Sequence, residues 1–464
     1  VILLLLLLGV TPVRADTDWL PDHYSQGAAT TAPAAPWWDS FGDPGLSDAV
    51  STGLAANPDI GALDALARSQ RALAGQSLSA VLPGLSFDVQ GQLAPTDTRV
   101  FGFGLDVPSA GDAPATYSTG SAKFNASLAV DLWGRGLTSW RASRLDALAA
   151  EGDRDATALV LSTTIGAAWF DIGAARQQLA VLQRQRQLVV DLLEVVRLRY
   201  DGGSASALDV LQQEQSLAAV DTQLPLMRAQ LRLARQRLAV LLGADPSGAL
   251  PEGPDAMPSL PADPAVGSPA DLLDQRPDVH AAAVRVDAAG ARRSAALRNL
   301  LPTLALSGSW GWQYYYETEW DTVQSWSAGA ALSVPLFGGG SRQAGLKQAG
   351  AARTAAELQL ESTLRSAVQE VEAGLTSQAE QRARAEAAAN QLQRAEQAWQ
   401  LAADQYARGL ADYLQVSSAL STLLSAELTD IQAQRDLLGA RLQLHQALGG
   451  TWTSDLDSLS ADAG

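Results

Sequence analysis

The stretch Leu304-Ala305-Leu306-Ser307-Gly308-Ser309-Trp310-Gly311-Trp312-Gln313-Tyr314 decides the fold. Leu304, Leu306, Trp310, Trp312 and Tyr314 share one parity and Ser307, Ser309 and Gln313 the other, so an extended chain here has one oily and one wet face. The following stretch repeats the pattern, with Trp326, Ala328, Ala330, Leu332, Val334 and Leu336 against Ser325, Ser327 and Ser333. Two earlier stretches do the same. Leu85, Phe87, Val89 and Leu93 alternate with Ser86, Asp88, Gln90 and Gln92, and Ala122, Phe124, Ala126, Leu128, Val130 and Leu132 alternate with Lys123, Asn125, Ser127 and Asp131.

Strands of about ten to twelve residues are long enough to cross a bilayer when tilted, and Trp310, Trp312, Tyr314, Trp320 and Trp326 suit its aromatic girdles. A soluble half-buried sheet would alternate in the same way. In lipid, however, four strands leave two edges that nothing can hydrogen-bond, so the sheet must close with copies of itself. Two chains give eight strands and a filled interior, whereas three give twelve and an aqueous lumen.

The chain is written twice. Asn57-Pro58-Asp59-Ile60 aligns with Arg276-Pro277-Asp278-Val279 and Leu82-Pro83 with Leu301-Pro302 at one shift, 277 minus 58, or 219 residues. Tyr200 to Gly203, Leu208, Val210 and Leu242-Gly243 align with Tyr406 to Gly409, Leu414, Val416 and Leu448-Gly449 at a shift of 406 minus 200, or 206. Each copy predicts a short helix (Pro58 to Leu82, Pro277 to Leu301), two strands, a long helix (Leu137 to Tyr200, Ser341 to Tyr406), a glycine turn and a third helix (Ser206 to Leu242, Ala411 to Leu448). The short and third helices placed end to end match the long one at 1.5 Å per residue.

Val210, Leu217, Leu224, Leu231 and Leu238 recur every seven residues, with Val220, Met227, Ala234 and Leu241 three places later. This is a heptad seam. The second copy keeps Val416, Leu423, Leu437 and Leu444, takes small companions at Ala419, Ala426, Ala433, Ala440 and Ala447, and is interrupted by Asp430. Pro225 inside the first seam predicts a kink.

These readings divide the chain into a leader at 1–15, an extended segment with a first short helix at 16–56, a first repeat at 57–243 with its hairpin at about 85–132, a proline-rich connector at 244–275 that joins the halves without adding a core, a second repeat at 276–449 with its hairpin at about 304–337, and a tail at 450–464. The stretches Asp16 to Pro36 and Thr451 to Gly464 are expected to be extended or disordered.

A formal net charge of −17 argues against nucleic-acid partners, because phosphate would be repelled. The absence of cysteine from these residues removes disulfides, thiolate metal sites and thiol nucleophiles among them, and no acylated cysteine anchor is expected. His23, His280 and His445 are dispersed, and no nucleophile motif or metal-ligand spacing appears, so neither an enzyme nor a cofactor is expected. Gly338-Gly339-Gly340-Ser341 lacks the lysine of a phosphate loop and reads as a strand-to-helix bend.

Trp37-Trp38-Asp39-Ser40-Phe41-Gly42-Asp43-Pro44-Gly45-Leu46, Asn57-Pro58-Asp59, Leu272-Leu273-Asp274-Gln275-Arg276-Pro277-Asp278-Val279 and Val334-Pro335-Leu336-Phe337-Gly338-Gly339-Gly340 resemble the TolC family of outer-membrane efflux proteins, in its OprM/NodT-like branch, over residues 36 to 450. The resemblance implies a mixed α and transmembrane β fold. Two tandem helix-strand-strand-helix-helix repeats supply four barrel strands and a long α-helical tunnel wall, closed as a homotrimer with a twelve-stranded β-barrel and a twelve-helix α-barrel. It further implies an integral outer-membrane protein with a periplasmic extension, in contact with outer-membrane lipid, a periplasmic adaptor and an inner-membrane pump. It places a periplasmic gate at the second helical turn, where Asp404, Arg408, Asp412, Leu414, Gln415 and Ser418 are the candidates, and adaptor contacts at Tyr200, Gly202, Gly203, Tyr406 and Gly409. Gln415 and Ser418 stand where relatives carry acids, which counts against an acidic ring. A periplasmic coiled-coil adaptor or scaffold without a barrel remains the alternative, since it needs the hairpins but not four strands of lipid length.

Overall fold

The computed structural model describes residues 19–25, 36–96, 115–316, 320–450 and 452–453; the expected leader lies outside the described residues. In chain order the elements are α1 (Pro44–Ala56), α2 (Pro58–Ser79), β1 (Gly84–Thr96), β2 (Ala115–Val130), α3 (Arg135–Asp201), α4 (Ala207–Leu241), α5 (Leu272–Gln275), α6 (Pro277–Arg298), β3 (Thr303–Tyr316), β4 (Trp320–Ser333), α7 (Ser341–Ala407) and α8 (Tyr413–Leu448). The chain forms two compact units. One takes in Arg68–Leu148 and Val284–Leu358 and holds the sheet; the other takes in Arg14–Ala67, Ala149–Ala283 and Gln359–Gly464.

In the first unit the strands form one antiparallel sheet in the order β1-β2-β3-β4, so β1 and β4 are its edges. The register puts Phe87 opposite Phe124, Phe124 opposite Trp310 and Trp310 opposite Trp326, a row of aromatic residues across all four strands. Phe87 and Phe124 lie 4.7 Å apart between ring centroids, and Phe124 and Trp310 6.1 Å. Trp312, two residues along the same face, meets Trp310 edge-on at 4.6 Å. The opposite face pairs Asp88 with Lys123, Gln90 with Ser121, Ser121 with Gln313 and Ser309 with Ser327. Gly311 stands across from Lys123 on that face, and a Cβ there would lie 2.1 Å from the Ala122 carbonyl oxygen, so only glycine fits.

Two strand ends differ from expectation. β4 stops at Ser333, and Leu336 and Phe337 are 93 % exposed outside it, because Pro335 has no N–H for a ladder. β2 stops at Val130; beyond it Asp131 accepts from the Leu137 N–H and the Trp133 indole donates to the Pro302 carbonyl. The short helices also end early, α2 at Ser79 and α6 at Arg298, where the chain tightens into three-residue turns (Leu82 N–H to Ser79, Leu301 N–H to Arg298). A residue preceding proline is driven out of the α region, and the same Leu-Pro pair does this in both halves.

The second unit is built on the seams. Val220, Leu224 and Leu238 of α4 are buried, as are Val416, Leu423, Ala426, Ala433, Ala440, Leu444 and Ala447 of α8. α4 runs unbroken from Ala207 to Leu241 through Pro225. Asp430 is buried with Oδ2 accepting from Gln434 and Oδ1 without a partner among the described residues, and burial pushes its carboxyl upward from the ordinary range. One window of α3 is long and apolar enough to span a membrane, but 72 % of it is buried in the chain itself.

The repeat persists in the hydrogen bonds. Asn57, before α2, donates to the Leu241 carbonyl at the end of α4 at 3.0 Å, and its counterpart Arg276, before α6, donates to the Ala447 carbonyl at the end of α8, also at 3.0 Å. The short helix of each half therefore starts where the third helix ends. Gly243 and Gly449 take φ of 72° and 78° at these junctions, with the neighbouring carbonyls of Ala56 and Gln275 too close for any side chain.

Three segments are more ordered than their composition predicts. Ser25 donates from its N–H and its hydroxyl to Glu372, Tyr24 is buried, and Arg365 lies 4.2 Å from the Trp19 ring, so residues 19–25 dock on α7. Trp452 is buried 4.8 Å from Trp38, edge to face. The connector buries Leu272, 1 % exposed, and packs Met257 and Leu260 against the cluster that holds Trp37 and Trp38. Burying one large apolar side chain is worth about 1.5–3 kcal/mol, which offsets the ordering of about one or two residues, so each segment is held by its hydrogen bonds and ring contacts as well.

His445 stacks on Trp37 with 5.9 Å between ring centroids in this core. It lies in the last turn of α8, where the helix dipole favours imidazolium, yet burial and the nearby Arg441 charge push its pKa down to about 4. The folded chain thus holds fewer protons than the unfolded one between the ordinary value of 6.5 and about 4. Stability from this site is complete above 6.5 and is lost as pH falls through that window, by on the order of 3 kcal/mol at 1.36 kcal/mol per pH unit. His445→Phe is expected to flatten the pH dependence of the denaturation midpoint between pH 6.5 and 4; an unchanged slope would show that another group carries it.

Candidate functional site

The two helical turns are built alike. After α3, the Ser204 N–H bonds the Arg199 carbonyl at 2.7 Å and Gly203, at φ 73°, donates to Tyr200; after α7, the Leu410 N–H bonds the Gln405 carbonyl at 2.8 Å and Gly409, at φ 78°, donates to Tyr406. This doubly bonded helix ending requires a left-handed residue, and glycine supplies it in each copy. The incoming helices are capped: Ser206 and Asp209 form a reciprocal capping box on α4, and the Asp412 side chain accepts from the Gln415 N–H at 2.9 Å on α8.

The expected gate residues separate into two groups. Asp404 pairs with Arg408 at 2.9 Å, four residues on, with both side chains more than half exposed, and Asp412 is committed to its cap. Leu414, Gln415 and Ser418 are exposed on α8, Leu414 at 70 %. The expected contact residues also divide: Tyr200 is 48 % exposed, whereas its counterpart Tyr406 is 3 % exposed. The Arg199 guanidinium lies 4.3 Å over the Tyr406 ring and 3.2 Å from where a Cβ at Gly409 would stand.

A buried bond that joins the two hairpins near their turns was not among the sequence candidates. Tyr413, first residue of α8, donates its hydroxyl to Gln213 Oε1 on α4 at 2.9 Å, and Gln213 Nε2 donates to the Val189 carbonyl of α3 at 2.8 Å. Gln213 is 1 % and Tyr413 6 % exposed, within a cluster of Leu182, Val189, Leu192, Val196, Val220, Leu224, Val416 and Leu420. A signal for it existed: Gln213 stands three places after Val210, a seam slot that otherwise holds Val220, Met227, Ala234 and Leu241. One polar residue in such a seam sets register and partner at some cost in stability. Its partner, 200 residues away, has no local signature.

Of the expected membrane-interface residues, Trp310, Trp312, Tyr314 and Trp326 lie at one parity of the sheet, the face of the aromatic row, and Trp320 is the first residue of β4.

Comparison with known proteins returns a family model described as outer membrane efflux protein, matched by residues 49–244 and 269–450. The pyoverdine export outer membrane protein OpmQ of Pseudomonas aeruginosa is 29 % identical over 468 residues, covering 99 % of this chain and 97 % of the relative. The solved outer-membrane channel OprN superposes with a TM-score of 0.80 at 25 % identity, covering 96 % of this chain and 98 % of that one. The open state of the Neisseria gonorrhoeae MtrE outer membrane channel gives 0.81 at 21 % identity, covering 95 % and 97 %.

Proposed function

Because the chain belongs to the outer membrane efflux protein family, we propose that it joins two further copies of itself to form a passive export duct, with three sheets closing a twelve-stranded barrel in the outer membrane and the long helices walling a periplasmic passage. The observation that carries this reading is the sheet, whose aromatic row crosses one face while both edge strands are left without a neighbour among the described residues. Lipid tolerates the oily face but not the edges, so closure with other copies is the arrangement that satisfies both. An adaptor or scaffold has no use for such a sheet, and the solved proteins of like fold are outer-membrane channels. Heat-modifiable trimers in detergent extracts of outer membranes, conducting in planar bilayers, are the expected result; a monomeric, freely soluble mature chain would reject it.

The energy for export comes from an inner-membrane pump, and an adaptor acts on the hairpin tips. The closed mouth is held within each chain by the bond from Tyr413 to Gln213 and by the cluster around it. Partner helices that bind the open form better shift the population toward it. The candidate constriction is Leu414, Gln415 and Ser418, with the Asp404–Arg408 pair beside it and no unpaired acidic ring.

The wet face of the sheet then lines the lumen. Gln90, Gln92, Thr119, Ser121, Lys123 and Gln313 border a recess of about 300 Å³ there. The Asp88 carboxylate, across from Lys123, is engaged by Ser86 at 2.8 Å and Asn125 at 2.6 Å. Lys123→Glu reverses a charge repeated three times around a lumen. The variant should move the zero-current potential under a salt gradient toward cation selectivity by several millivolts or more, and an unmoved potential would mean that Lys123 does not face the conducting path.

A further inference from the structure

We infer that two arginine–carboxylate clasps on the connector set the level about which the hairpins pivot, an inference that rests on the duct reading and adds the residues that position its gate. In the first half Arg176 of α3 donates to Glu252 Oε2 at 2.7 Å, to the Glu252 carbonyl at 2.6 Å and to Asp255 at 2.6 Å, while Arg235 of α4 reaches the same Glu252 Oε2 at 2.9 Å. In the second half Arg382 of α7 donates to Asp263 Oδ1 at 2.6 Å, and Arg441 of α8 reaches the same oxygen at 2.5 Å and the Ala262 carbonyl at 2.6 Å. Gln378 Nε2 adds a third bond to Asp263 Oδ1 at 3.0 Å.

The clasps are repeats of each other. Arg176 maps on Arg382 and Arg235 on Arg441 at the same 206-residue shift that aligns the helical turns. In each, one carboxylate oxygen bridges the two helices of a hairpin and so resists sliding along the seam. Both carboxylates belong to one connector, so the two hairpins are tied to each other through the twelve residues from Glu252 to Asp263. A third tie joins the hairpins directly: Arg435 of α8, six residues before Arg441, bonds Asp171 of α3 at 2.6 Å. The four arginines differ in burial, with Arg176 17 % and Arg382 41 % exposed. The Arg441 side chain is 0 % exposed against 23 % for Arg235, and the arginines hold the Asp263 carboxyl below the usual carboxylate range, chiefly through the Arg382 hydrogen bond.

From Tyr413 to Arg441 is 28 residues, or about 42 Å of helix, so a rotation of roughly 5° at the clasps carries the tip about 4 Å. The tip bond decides whether the hairpins part; the clasps decide where the motion starts. Arg441, Asp263, Arg382, Arg235, Arg176 and Glu252 are in this sense positioning residues, remote from the passage itself.

Spin-label distances in the full chain test this, since a protein without native cysteine accepts unique label pairs. Gln215→Cys with Ser421→Cys reads the hairpin separation toward the tips, and Val240→Cys with Gln443→Cys reads it beside the clasps, in each case with labelled chains diluted among unlabelled ones. Asp263→Asn is expected to broaden or lengthen the Gln215–Ser421 distance by about 3 Å, the arc of the same rotation on a lever of about 30 Å, to leave the Val240–Gln443 distance unchanged and to raise open probability at least tenfold. Asp263→Glu should restore the wild-type distances. Because Asp263→Asn leaves a buried arginine unpaired, Asp263→Asn with Arg441→Met provides a second variant that removes the charge pair together. Folded variants with an unmoved Gln215–Ser421 pair, or with both pairs shifted alike, overturn the inference; so does failure of both to fold, which would make the clasps struts of the fold. Wild-type protein that neither trimerises nor conducts rejects the duct and leaves the intrachain distances to be judged separately.

Discussion

Phe124→Arg should remove the assembled protein from the outer membrane, while Asn125→Arg, one residue along the same strand, should leave it assembled. Phe124 lies in the aromatic row between Phe87 and Trp310, at the parity of Ala122 and Ala126, and Asn125 occupies the opposite face and bonds Asp88. An arginine at the lipid face of a barrel costs about 2–4 kcal/mol at the midplane, and a lost aromatic pair adds about 0.5–1.5 kcal/mol. The proposed trimer would carry the change three times, so the penalty is comparable with the whole stability of many folded proteins. On the wet face the same charge meets water. Heat-modifiable trimer in purified outer membranes is the measurement, and equal loss, or equal tolerance, in the two variants would mean that parity does not mark the lipid face.

Tyr413→Phe should open the duct without its partners. The change keeps the ring in its buried site and deletes one hydroxyl, leaving Gln213 Oε1 inside the cluster without its donor. An unsatisfied buried acceptor costs about 1–3 kcal/mol, and three chains moving together would multiply that effect on the opening equilibrium. The expected readout is at least a tenfold rise in open probability of the reconstituted channel with no adaptor present. Adding Gln213→Leu removes the stranded acceptor, so heat stability should recover in part while the channel stays open; the double-mutant cycle separates packing from the bond. Tyr413→Phe channels that remain as closed as wild type would remove the bond from the gate.

The repeat, the six main helices within a few residues of their ends, the strands and their faces were legible in the sequence, because each rests on local periodicity. Period two sorts side chains to the faces of a strand and period seven to the seam of a helix, and proline and glycine mark where either stops. The same arithmetic gave Gly203 and Gly409 their turns. It did not end β4 at Ser333, although Pro335 was there to be weighed, nor did it order Trp19, Tyr24 and Trp452, whose burial depends on partners elsewhere in the chain.

What belonged to the sequence alone was which way each segment must face, since that follows from the spacing of its own residues. Tertiary structure alone decided which polar groups meet: Tyr413 with Gln213 across 200 residues, Arg441 with Asp263 across 178, Arg276 with the Ala447 carbonyl across 171. Periodicity brings a side chain to a seam but does not say what waits there, and in a dry seam the cost of an unpaired polar group makes that pairing decisive.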